Sequence, residues 1–342
     1  MSKSDSSNNP KSVSICLSVC LCVIALSLAG CGQEVKVTDY TGRSVTADAP
    51  VGSIVSLSSS GSEILCALNA TDKIVGRGSS SVFPPRLEEV MIVGKSSLSP
   101  DLELIIELDP DLVIADTMLK EDDRARLEDA GIPVLEESFV DPPRIIEVAG
   151  HLGLLLGEEE RAELLIDFLD GYQTLIEERL AGLDPDEKPK VFLEREWIYH
   201  TASVGTSSHN LVVYAGGDNI ASEEEIEYPT VSPEWVIESD PDVIVKLTFA
   251  TTGELFTEEE LKATRDEMMS RPELANVKAV KDGRVHVLNS KAGSGIRSII
   301  GELYLAKWFH PLLFEEIDPE EAHRDLIRSF YDLDLEGAYA YP

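Results

Sequence analysis

Positive charge is scarce in this 342-residue sequence: 29 lysines and arginines stand against 63 aspartates and glutamates, a net charge of −34. A phosphate backbone would be repelled almost everywhere, which excludes nucleic acid as a partner. Such acidity is compatible with a high-salt habitat, where many carboxylates keep a surface hydrated. Cysteine is nearly absent from the body of the chain. Cys16, Cys20, Cys22 and Cys31 lie in or at the end of the N-terminal segment, leaving only Cys66 beyond it. No intramolecular disulfide is available there, and Cys66, within a helical stretch, reads as a small core residue. The six histidines (His151, His200, His209, His286, His310, His323) show no metal-ligand spacing, which speaks against a free zinc or manganese binder. His200 and His209 are the only pair placed to meet near a cleft. HExxH, GxSxG, GxxxxGK and a CxxC pair are missing, and Ser207-Ser208-His209 with scattered acids defines no triad. An enzyme is not expected.

The N-terminus reads as a targeting segment. Lys3 and Lys11 precede a mainly apolar run from Val13 to Ala29, followed by Leu28-Ala29-Gly30-Cys31. Residues 1–31 are expected to be a lipoprotein signal peptide with Cys31 lipidated. The rival is an uncleaved signal anchor, because the run is nearly long enough to span a bilayer. Either places the rest outside the cytoplasmic membrane, and the lipoprotein reading puts it on the membrane's outer face.

One stretch occurs twice. Ser99-Pro100-Asp101-Leu102-Glu103-Leu104-Ile105-Ile106-Glu107-Leu108-Asp109-Pro110-Asp111-Leu112-Val113-Ile114 matches Ser232-Pro233-Glu234-Trp235-Val236-Ile237-Glu238-Ser239-Asp240-Pro241-Asp242-Val243-Ile244-Val245 at an offset of 131 on the Asp-Pro-Asp. That offset puts Glu103 on Glu234 and Ile106 on Ile237. Apolar residues at helical spacing predict a short helix in each copy. Asp109 and Asp240 disfavour its continuation, and the proline pushes the residue before it out of the helical region. The β-branched run that follows suits a strand buried on both faces of a parallel sheet. Two copies imply two α/β lobes of similar plan.

The remaining segments fit this scheme. A hairpin is predicted around Asp39-Tyr40-Thr41-Gly42, and a buried strand at Ile54–Leu57 runs into a helix with Ser60 or Ser62 as N-cap. From Glu158 to about Leu180 there is no proline, and apolar residues recur at helical spacing. This predicts one helix of roughly 35 Å, long enough to bridge two lobes. The helix through Leu211–Tyr214 is expected to stop at Ala215-Gly216-Gly217, where glycine suits a left-handed cap. The expected division is a first lobe at 32–156, an inter-lobe helix at 157–183 and a second lobe at 184–342.

These residues resemble the periplasmic binding proteins of ABC importers for ferric siderophores, haem and cobalamin. The resemblance is carried by Thr38-Asp39-Tyr40-Thr41-Gly42-Arg43, Ile54–Leu57 before a Ser/Gly loop with Glu63, both repeat copies, Lys278–Val285 and Lys307-Trp308-Phe309-His310-Pro311. It covers the chain after residue 35 and looks like the iron-complex branch. It implies two Rossmann-like lobes joined by one rigid helix, with the ligand in the cleft between them. It also implies a permease dimer with ATPase subunits as partner, docked through Glu103 and Glu234. No resident cofactor is implied; the bound ligand would be a ferric chelate, with a corrinoid or haem as alternative.

Ligands of such sheets lie where strand ends and their loops converge. That criterion selects Ser60, Arg77, Ser79, Phe83, Lys95 and Ser97 in the first lobe, and Arg195, Trp197, Tyr199, Thr248, Lys291 and Arg297 in the second. Arg77, Arg195 and Arg297 are expected to draw an anionic chelate inward. Trp197 and Tyr199 offer flat faces to catechol or macrocycle rings.

Overall fold

The computed structural model describes residues 33–249 and 255–342; the targeting segment and Cys31 lie outside the described residues. The chain begins with an antiparallel hairpin, β1 (Gln33–Thr38) and β2 (Ser44–Ala49). The Asp39 carboxylate closes its turn by accepting hydrogen bonds from the Thr41 and Arg43 amides at 2.9 and 3.0 Å.

The first lobe is a four-stranded parallel sheet of β3 (Ile54–Ser56), β4 (Ile74–Arg77), β5 (Leu112–Asp116) and β6 (Val134–Glu137), in the order β4-β3-β5-β6. Helices α1 (Ser59–Ala67), α2 (Leu102–Leu108) and α3 (Glu121–Asp129) connect these strands. After α4 (Pro142–Leu156) comes α5 (Glu159–Leu180), the long helix expected at 158–180. Gly153 lets α4 and α5 approach closely, because a Cβ there would collide with Ala162.

The second lobe repeats the plan. Strands β7 (Lys190–Glu194), β8 (Asp218–Asn219), β9 (Val243–Thr248) and β10 (Val285–Asn289) run parallel in the order β10-β9-β7-β8. Its helices are α6 (Ser207–Tyr214), α7 (Pro233–Ser239), α8 (Glu258–Met269), α9 (Lys278–Lys281), α10 (Ser298–Phe309) and α11 (Pro319–Tyr331). A final two-residue strand, β11 (Ala340–Tyr341), pairs antiparallel with β10. Each sheet starts at an inner strand, steps outward once, then continues on the other side. That reversal leaves a crevice at the C-terminal strand ends, beside β3 and β5 in one lobe and β7 and β9 in the other. Among the described residues no helix is long and apolar enough to cross a membrane.

The repeat is structural to the residue. Helices α2 and α7 have matching bounds at the 131 offset, and so do their N-caps, Asp101 and Ser232, which accept from Leu104 N and Trp235 N. Each helix stops because the first Asp of Asp-Pro-Asp adopts the left-handed conformation, with φ 47° at Asp109 and 43° at Asp240. The second Asp stitches the strand to its neighbour. Asp111 Oδ2 accepts from the Ser53 amide at 2.7 Å, and Asp242 Oδ2 accepts from the Lys190 amide at 2.9 Å. The N-cap of α1 is Ser58, two residues before the earlier of the expected serines. Ser62 instead turns its hydroxyl to Ser56, Ser81 and the Ser58 carbonyl. Cys66 is a buried core residue, and burial pushes its thiol up to about 12.

Candidate inter-lobe ligand site

The lobes meet where the first turns of α1 face residues 295–297. Arg297 is buried and donates through Nη2 and Nε to the Glu63 carboxylate of α1, at 2.6 and 3.0 Å. Its guanidinium lies 4.6 Å from the Phe83 ring centroid. The Phe83 ring meets Tyr331 edge-on at 4.9 Å, and the Tyr331 hydroxyl donates to the Glu63 carbonyl at 3.2 Å. Gly295 permits this approach: it sits at φ +56°, and a Cβ there would come within 2.9 Å of Ser60 Oγ.

Above this junction opens a cavity of about 520 Å³. Phe83 and Glu88 line it from the first lobe, Leu255, Lys291 and Arg297 from the second, and Asp332–Glu336 with Tyr339 close one side. Partial burial and the nearby Arg297 both lower the Lys291 pKa. Of the twelve residues expected at the ligand, Phe83, Lys291 and Arg297 share this cavity, and Ser60 lies outside its lining, close against Gly295 at the junction.

The other expected residues are placed differently. Arg77 is buried and braces its own loop, donating to the carbonyls of Gly78, Ser79 and Glu88 at 3.2, 3.4 and 3.3 Å. Ser97 is buried too, its Oγ accepting from the Asp116 amide at 3.0 Å. Ser79 lies half-buried beside Lys95, donating to that residue's carbonyl at 3.4 Å, and the Lys95 side chain is exposed. Tyr199 takes a left-handed backbone (φ 60°) that turns its ring into the second-lobe core, with its hydroxyl on Glu273 at 2.6 Å. Its face is therefore not offered to a ligand. Thr248 is buried at the end of β9. Arg195 is held by Ser208 Oγ at 2.7 Å and by Glu196, and it lies over Tyr228 and Phe249 at 4.6 and 5.1 Å. Trp197 is 67% exposed and tilts against His200. His200 and His209 do not meet as a pair: one contacts Glu196, the other Asn219.

All three arginines expected at the ligand have partners within the protein. Arg77 is committed to carbonyls, Arg195 to Glu196 and Ser208, and Arg297 to Glu63. Sequence reasoning also missed a buried network in the second lobe, where Glu194 takes Lys246 at 3.0 Å and Arg271 at 2.7 and 2.9 Å. Its signal was available: Lys246 interrupts an otherwise apolar buried strand, which demands a buried partner. Glu103 and Glu234 both lie exposed in the first turns of α2 and α7.

A second contact between the lobes surrounds Glu302 of α10. Asn210 donates to the Val140 carbonyl at 3.2 Å, and the Tyr214 hydroxyl donates to Asp141 at 2.6 Å. Glu302 is fully buried, and neither carboxyl oxygen meets a hydrogen-bond partner among the described residues. Burial first, then the nearby Asp141 and Glu177, hold its carboxyl well above the usual range.

Two parallel α/β lobes, a single long helix between them and a cavity at their junction define a solute-binding protein of the two-lobed kind. The family model for periplasmic binding proteins matches residues 54–292, and the chain belongs to that family, whose members bind solutes outside the cytoplasm. It is 28% identical over 323 residues to an uncharacterized ABC transporter substrate-binding lipoprotein, YvrC, of Bacillus subtilis, covering 86% of this chain and 97% of that protein. It is 25% identical over 224 residues to a cobalamin-binding protein of Halobacterium salinarum, covering 63% of this chain and 59% of that one. The crystal structure of the TroA-like periplasmic binding protein FepB from Veillonella parvula superposes with a TM-score of 0.77 at 24% identity, over 90% of this chain and 99% of that chain.

Two outcomes follow for stability. Replacing Glu63 by Ala leaves a buried guanidinium unpaired and should cost about 3–5 kcal/mol, read by chemical denaturation. The Glu63→Leu/Arg297→Met double variant should recover most of that loss. For Glu302, a folded pKa above the unfolded value means the native state holds a proton that the unfolded chain releases. Stability therefore falls as pH rises from about 4.3 toward the folded pKa, by up to about 1.4 kcal/mol per unit. Glu302→Gln should remove this slope, gaining on the parent at pH 8 and matching it near pH 4.

Proposed function

We propose that this protein captures a bulky metal chelate of low net charge outside the cytoplasmic membrane and hands it to the permease of an ABC importer. The observation that carries this reading is the commitment of Arg77, Arg195 and Arg297 to partners within the protein. A multiply anionic ligand such as a ferric tris-catecholate needs unengaged guanidiniums. A neutral ferric hydroxamate or a corrinoid needs apolar walls and a few polar contacts, which Phe83, Leu255, Leu335 and Tyr339 supply beside Lys291. The Halobacterium relative, by its name a cobalamin binder, supports the corrinoid branch of this class. Lipid on Cys31 would hold the protein at the outer face of the membrane, in line with the name of the Bacillus relative.

Glu103 and Glu234 are the docking acids in this reading. They stand at matched places on matched helices, which suits a twofold partner carrying basic pockets. Charge reversal at both should abolish uptake while changing ligand affinity less than about threefold, since rim charges act mainly on association with a partner. A large loss of affinity in the purified double variant would remove the assignment.

The ligand class is tested by titration with cyanocobalamin, haem, a neutral ferric hydroxamate and a ferric tris-catecholate, followed by Trp197 fluorescence and visible absorbance. The neutral hydroxamate or the corrinoid should bind tightest, with little change in affinity between low and high salt. Tightest binding of the catecholate, weakening steeply with salt, would overturn the reading.

A further inference from the structure

The chain beyond α10 crosses the lobe junction a second time, and does so along the cavity. Arg161 of α5 donates to the Ser329 carbonyl at 2.7 Å and lies over Phe330 at 4.8 Å, holding the end of α11 in place. Tyr331 then fastens to Glu63 and Phe83 of the first lobe. Asp332 turns the chain at φ 55°. The segment runs on to the second lobe, where the Asn289 amide donates to the Tyr339 carbonyl and the Ala338 amide to the Phe256 carbonyl, both at 2.7 Å. Strand β11 finishes against β10. Both ends are thus tied down, on opposite lobes.

Between the ties the sequence alternates Asp332-Leu333-Asp334-Leu335-Glu336, and all five residues line the cavity. Leu333 and Leu335 are half-buried while the three acids are exposed. The carboxylates are thus the solvent-exposed part of this stretch of the lining. Arg328 approaches Asp334 at 3.4 Å with both side chains well exposed, a pairing of small value in water. Glu88 adds a fourth acid to the lining, against Lys291 and an Arg297 already neutralised by Glu63.

We propose that this C-terminal strap sets the selectivity of the cavity: Asp332, Asp334 and Glu336, exposed along its lining, reject polyanionic solutes. The inference rests on the cavity being the ligand site. Fixed like charges beside a low-dielectric opening focus the field there and lower the local concentration of anions. Salt weakens the effect, because the screening length falls from about 10 Å at 0.1 M to about 3 Å at 1 M.

The test needs no knowledge of the ligand. A cysteine placed in the cavity wall by Val82→Cys is modified with two methanethiosulfonate reagents, one bearing a sulfonate and one a trimethylammonium group. The protein without that change supplies the blank rate. Combining Asp332→Asn, Asp334→Asn and Glu336→Gln should raise the sulfonate-to-trimethylammonium rate ratio about tenfold at low salt, with the difference closing at high salt. An unchanged ratio overturns the proposal. A shifted ratio in a protein that binds no metal chelate upholds the strap and removes the ligand reading above. An unshifted ratio with a neutral chelate tightly bound does the reverse.

Discussion

A carboxylate and a guanidinium from opposite lobes share one buried site, and the rest of the cavity is arranged around that contact. Removing both ions from water costs several kcal/mol each, which only close bidentate geometry with further hydrogen bonds offsets. Glu63 and Arg297 have that geometry, and Phe83 and Tyr331 enclose the pair. The relative placement of the lobes and the charge of the cavity floor are therefore one problem with one solution. The arginine that fixes the junction has its Nε and one terminal nitrogen committed to Glu63.

Much of the fold could be read from the sequence because it is written in local patterns. The two Asp-Pro-Asp stretches, the β-branched runs and the proline-free helix from Glu159 each depend on neighbours within a few residues. The site was less legible for a physical reason. Residue type shows that Arg297 is a cation in a loop, but its partner Glu63 lies 234 positions away. Tyr199 also follows a strand and so fitted the cleft criterion, yet a left-handed backbone turns its ring into the core. The strap was not legible at all beyond its membership of the second lobe, because no local pattern states where the end of a chain returns.

The shortage of cations shapes the interior as well as the surface. Arg144 meets Glu137, Arg43 and Arg124 meet Glu136, and Lys246 with Arg271 meets Glu194. Several of the scarce positive side chains thus neutralise buried carboxylates and leave the surface acidic. Among the described residues Glu302 has no such partner, and burial holds its carboxyl well above the usual range. Added salt screens the repulsion among exposed carboxylates far more than it touches these buried pairs.

The two lobes differ in where they tolerate a change of length. In strand pairing, Ile54 faces Leu112 as Val191 faces Val243, so the equivalent first strands are offset by 191 − 54 = 137. The helix, the Asp-Pro-Asp and the following strand keep 131 throughout. Val134 pairs with Val113 as Val285 pairs with Ile244, an offset of 285 − 134 = 151. Six residues have thus been lost or gained before the unit and twenty after it, with none inside. A left-handed aspartate and a carboxylate stitched to the next strand fix the path between helix and sheet too closely to admit an extra residue. The unit behaves as a cassette of set length, and grafts or loop insertions between lobes of this kind belong on either side of it.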